Sequence, residues 1–133
     1  MSREILFRGK RTDNGEWTQG YLFRIWEKAY ICWGTVNDIP DMKEVDPENV
    51  CQYTGLIDKN GRKIFEGDVV RYTDEVIGEE KVDEVKYNET HAAFCRLHKR
   101  EMGLQYLFID EAIADRCEVI GNIFDNPDLL TGN

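Results

Sequence analysis

Apolar and polar positions alternate along most of the chain with the period of two that marks half-buried strands. Ile5, Phe7 and Gly9 interleave with Leu6, Arg8 and Lys10, and Asn14-Gly15 then supplies the positive-φ pair of a tight hairpin turn. The return strand, Glu16 to about Ile25, carries Trp17, Tyr21 and Phe23 at one parity and Thr18, Leu22 and Arg24 at the other. A third strand is predicted at Ala29 to Trp33, with the connecting turn around Trp26 and Glu27-Lys28 left open. Between Gly34 and Asn49 the pattern dissolves into Asn, Asp and Pro, which predicts a loop and an internal seam.

Beyond the seam, a strand at Val50 to Tyr53 leads to a turn at Asp58 to Gly61, and Gly67 precedes a strand at Val69 to Thr73. Strands follow at 81–87, 92–97, 104–108 and 118–124. A short helical turn is expected at Asp110 to Asp115, and Asn126-Pro127 reads as a helix start. Many short strands broken by Gly, Asn and Asp corners predict a mainly β small barrel or sandwich with one or two short helices.

The 133 residues suit a single domain. Apolar residues at 41% and 11% aromatics are enough to order it. The formal charge of -9 argues against a general affinity for nucleic acid, since phosphate binding needs clustered Lys and Arg. The balance is uneven: residues 1–33 hold six Lys or Arg against four Asp or Glu, and the remainder eleven against twenty-two. Any phosphate-facing surface therefore belongs near Arg3, Arg8, Lys10, Arg11 and Arg24. The acidic run from Asp74 to Glu84 reads as a solvated loop and a charged strand edge. No apolar run is long enough to cross a bilayer and the start shows no signal-peptide stretch. Four scattered cysteines read as reduced thiols, which suits the cytoplasm.

Three blocks resemble the YopX-like family of phage and prophage proteins. The first is Ile5-Leu6-Phe7-Arg8-Gly9-Lys10 with Gly15-Glu16-Trp17 and Gly20-Tyr21; the second is Val50-Cys51-Gln52-Tyr53-Thr54-Gly55-Leu56 through Asp58-Lys59-Asn60-Gly61 to Phe65-Glu66-Gly67-Asp68-Val69-Val70; the third runs from Val119 to Leu130. The acidic stretch between residues 74 and 104 carries none of the likeness. Cys51 stands where the family usually has Gly, so it is no shared functional thiol. The resemblance implies an SH3-like small barrel over residues 50–133, preceded by an N-terminal β-hairpin or meander over residues 1–49. It implies no reaction, and a fold alone does not fix one.

No cofactor or metal is expected. His91, Cys95 and His98 are the only concentration of metal-capable side chains, and on a strand His98 falls opposite Cys95. With two histidines in one segment and neither nucleophile-elbow nor P-loop spacing, no catalytic set stands out and no enzyme is expected. What remains is the aromatic and basic N-terminal region, for which core packing is the plainer reading. The functional reading is an interaction surface of Arg8, Lys10, Arg11, Trp17, Tyr21, Trp26 and Trp33. The chain is accordingly expected to be a non-enzymatic protein-binding or assembly module that also self-associates. The alternative is a nucleic-acid-binding accessory protein using the basic hairpin and the barrel face, with aromatic rings stacking on bases.

Overall fold

The computed structural model describes residues 4–100 and 103–130. It is mainly β, with one short α-helix and two 3-10 turns among the described residues. Contacts divide the chain into two units, residues 1–53 and 54–133.

In the first unit β1 (Phe7–Lys10) and β2 (Trp17–Ile25) form the expected antiparallel hairpin, Phe7 opposite Gly20 and Lys10 opposite Trp17. The tight turn on an Asn14-Gly15 positive-φ pair is not what connects them: Arg11 to Glu16 lie between the strands, Asn14 keeps negative φ, and Gly15 alone takes φ +73°, donating its N–H to the Arg11 carbonyl at 2.9 Å. A two-residue turn, Trp26-Glu27, leads to β3 (Lys28–Val36), and β4 (Ile39–Val45) pairs back onto β3. The loop and seam expected over 34–49 is thus largely a second hairpin. Asn37 and Asp38 both adopt left-handed φ, 52° and 65°, and so act as turn residues rather than loop formers. Pro40 sits in a strand because β4 lies at the end of the order β4–β3–β2–β1, where a missing N–H breaks no ladder. The first residues of β5 (Cys51–Ile57) pair with β1, Arg8 opposite Cys51.

The core of this unit is Ala29, Ile31 and Val45, all without exposure, with Phe7, Leu22 and Val50 against them. On β2 the inward parity therefore belongs to Leu22, and Tyr21 and Phe23 point the other way. Gly9 and Gly20 are inward too. A Cβ on Gly20 would lie 2.4 Å from the Cys32 carbonyl oxygen, so β2 and β3 approach each other only over a glycine.

In the second unit the rest of β5 pairs with β6 (Lys63–Phe65). β7 (Asp68–Thr73), β8 (Glu80–Asn88), β9 (Ala93–Arg100), β10 (Gly103–Phe108) and β11 (Glu118–Asn122) form one antiparallel sheet in the order β10–β9–β8–β7–β11. α1 (Glu111–Ala114) follows Asp110, whose side chain accepts from the Ile113 N–H. The helix start expected at Asn126-Pro127 is the 3-10 turn Pro127–Leu130. Ile64, Val70, Val85, Ala114, Cys117 and Val119 form the core. The closed barrel expected over residues 50–133 is not found among the described residues: β11 pairs with β7 and not with β10, so the sheet keeps two ends.

Candidate functional site

Because Leu22 and Ile31 take the core, the opposite parity of β2 and β3 faces outward, and the register aligns it with β4. Tyr21 pairs with Cys32, which pairs with Met42; Phe23 pairs with Tyr30, which pairs with Glu44; Ile25 closes the hairpin opposite Lys28. Tyr21 is 64% exposed, Phe23 48% and Ile25 and Met42 41% each. The aromatic stripe of the sequence is thus a surface and not a core. At its tip Trp26 is 96% exposed and holds φ +52°, a left-handed backbone that bulky residues rarely adopt.

The other expected surface residues divide. Arg8 and Lys10 stack over the Trp17 ring, at 4.7 and 5.4 Å from its centroid, and Arg8 is buried. Arg11 pairs with Asp13 at 2.7 Å, and that hydrogen bond holds the Asp13 carboxyl below its ordinary range. Trp33 lies at the bulge in β3, between the Cys32 and Gly34 register positions. Arg24 is exposed at the parity opposite Tyr21 and Phe23, and Arg3 lies outside the described residues. The N-terminal set is therefore two groups: a cation–aromatic stack around Trp17, and an apolar face running from Tyr21 to Trp26.

The metal candidates stay apart. His91 lies in the turn before β9, its N–H donating to Asn88 Oδ1, while Cys95 and His98 occupy opposite faces of β9. Among the described residues no group of three His, Cys, Asp or Glu is placed to hold a metal ion. None of the four cysteines forms a disulfide, and burial pushes the Cys117 thiol up to about 11.

A polar cluster that sequence reasoning missed lies on the core face of the second sheet. Asp83, read in the sequence as part of a solvated acidic run, has no exposure at all. Its Oδ2 accepts from the Tyr72 hydroxyl at 2.6 Å and its Oδ1 meets His98 Nδ1 at 2.6 Å. Burial first, and then the bond to Asp83, push the Tyr72 phenol well above its ordinary value. The Arg96 guanidinium lies 4.8 Å from the centroid of the Tyr72 ring, and its Nε donates to the Phe108 carbonyl at 2.8 Å. Tyr72, Asp83, Arg96 and His98 share parity with Val70 and Val85 through the strand register. Period-two alternation gives each strand's parity; which rows align across four strands is a long-range fact that short segments do not carry.

Comparison with known proteins gives a match to the family model described as YopX protein, over residues 6–131. No curated protein matches. Among solved structures, the crystal structure of protein EF1440 from Enterococcus faecalis is similar at 23% sequence identity and a TM-score of 0.56, covering 97% of this chain and 99% of that one. At that identity the likeness is one of fold.

Proposed function

The chain belongs to the YopX protein family, and from that premise we propose that it is a non-enzymatic protein-binding and assembly module that docks through the outer face of β2–β4, first of all onto a second copy of itself. Trp26 carries the proposal. A left-handed backbone under a bulky side chain costs on the order of 1 kcal/mol, and a tryptophan 96% exposed recovers none of it within the fold. Tyr21, Phe23, Ile25 and Met42 give the strands behind the Trp26 turn an exposed apolar face, and aromatic anchors on such faces contribute most to binding.

The cations of the hairpin support this reading over nucleic-acid binding, because Arg8 is buried on Trp17 and Arg11 is tied to Asp13. A phosphate would have to compete for both. We read the second unit as an SH3-like barrel left open: a meander of β7 to β10, then α1, then β11 returning to the first strand of the meander. No helix among the described residues is long and apolar enough to cross a membrane. The setting we infer is a phage or prophage protein in the bacterial cytoplasm.

Light scattering over a concentration series tests the proposal. The wild-type mass should rise above the 15.5 kDa of one chain, while Trp26→Ala stays at that mass with an unchanged circular dichroism spectrum. A wild type that remains monomeric at every concentration, or a variant that associates as well as the wild type, overturns it.

A further inference from the structure

Three side chains on the core face of β9 and β10 keep polar capacity that the fold does not use. Register places Arg96 opposite Val85, and Gln105 opposite His98, so all three project from the same face as Val85. Arg96 is nine-tenths buried, its Nε is committed to the Phe108 carbonyl and its Cζ lies over the Tyr72 ring. The bond to Phe108 is the one hydrogen bond the structure gives the guanidinium among the described residues. His98 is held at Nδ1 by Asp83, leaving Nε2 unpartnered among those residues, and its side chain stays 19% exposed, which opens the face to solvent. Gln105 Oε1 is buried without a donor. Burying polar atoms unpaired is costly, and native folds retain few of them. Here the one such atom, Gln105 Oε1, lies on the strand beside the one that carries Arg96 and His98, whose hydrogen bonds use only Nε and Nδ1.

The charges indicate what such a set would take. Arg96 supplies one permanent positive charge, and the fully buried Asp83 sits directly behind His98. A doubly charged phosphate would press its second charge toward that carboxylate. A carboxylate brings a single charge and two oxygens in the plane that the free edge of a guanidinium matches. Gln105 Oε1 in turn asks for an N–H or O–H. We propose that Arg96, His98 and Gln105 form a binding site for a small carboxylate bearing a hydrogen-bond donor next to the acid group, the carboxylate on the Arg96 fork and the donor on Gln105 Oε1 or His98 Nε2. The site belongs to the second unit and shares no residue with the β2–β4 face.

N-acetylglycine combines a carboxylate with a neighbouring N–H and serves as the probe, titrated into the full chain while the Arg96, His98 and Gln105 side-chain resonances are followed by NMR. Saturable shifts confined to these groups are expected. Inorganic phosphate and the methyl ester of the probe should bind at least tenfold more weakly, and sodium chloride at matched ionic strength should leave the signals unmoved. Arg96→Gln should abolish saturation. Since Arg96 is buried, His98→Gln and Gln105→Ala, near the sheet edge, provide variants that can be checked for folding, and each should weaken binding several-fold. Shifts that fail to saturate, that the ester or chloride reproduces, or that survive unchanged in His98→Gln and Gln105→Ala overturn the proposal.

Discussion

Asp58 and Val119 stand 61 residues apart in sequence, and the Asp58 Oδ2 accepts the Val119 N–H at 2.9 Å. The same carboxylate takes the N–H groups of Asn60 and Arg62 on its Oδ1, each at 2.9 Å, so one buried side chain shapes the β5–β6 turn and pins it to β11. Burial pushes the Asp58 carboxyl up, but the three backbone donors together outweigh it and hold the group below its ordinary 3.8. A folded-state value below the unfolded one means the stabilisation is complete above the unfolded value and is lost as pH falls through the folded one. Asp58→Asn keeps one acceptor oxygen and loses the charge, and should cost about 2 kcal/mol at neutral pH. Urea unfolding of both proteins should show that gap narrowing as pH drops below about 4. A gap that is constant with pH contradicts the assignment.

Gly20 and Gly34 make a matched pair of glycines in adjacent strands with opposite expectations. A Cβ at Gly20 would meet the Cys32 carbonyl oxygen at 2.4 Å, a backbone atom that cannot swing aside, whereas nothing lies within 4 Å of one at Gly34. Gly20→Ala should therefore destabilise the protein by about 2–3 kcal/mol through overpacking. Gly34→Ala should stay within about 0.5 kcal/mol of wild type. Equal effects of the two substitutions on the denaturant midpoint would remove the close approach as the reason for Gly20.

Where local chemistry decides, the sequence was readable. A turn falls at Asn14-Gly15, though only Gly15 takes positive φ, while Asp58 to Gly61 forms its turn and Asp110 caps a helical turn. Readability ended where one pattern had two physical solutions. Tyr21 and Phe23 alternate as a buried stripe would, yet Leu22 holds the core side, because the partners that decide burial, Ile31 and Val45, come from other strands. β4 was hidden by Asn37, Asp38 and Pro40, residues that serve a hairpin turn and an edge strand as well as they serve a loop. Asp83 looked like one carboxylate among many until the register set it between Tyr72 and His98.

The cysteines should separate cleanly by reactivity. Cys51, Cys95 and Cys117 are buried, and burial raises the Cys95 thiol and takes that of Cys117 to about 11, while Cys32 on the outer face of β3 is partly exposed. Alkylation needs the thiolate and access to it. Iodoacetamide at about pH 8 should modify Cys32 first in the folded protein, with the other three reacting after denaturation, as read by peptide mass spectrometry. Rapid labelling of Cys117 under native conditions would show that the core around Val70 and Val85 opens.

Trp26 offers the sharpest separation of stability from function. Glycine adopts φ +52° without steric penalty, so Trp26→Gly relieves backbone strain and gives up little packing, the side chain being 96% exposed. Part of that gain is offset by the greater freedom of glycine in the unfolded chain, leaving about 0.5 kcal/mol of net stabilisation. The midpoint of thermal unfolding, measured at a concentration where both proteins are monomeric, should rise by a few degrees. Association should move the other way, because the exposed anchor of the β2–β4 face has gone. A variant that is less stable yet associates like the wild type would mean that Trp26 serves the hairpin itself and would move the docking face elsewhere.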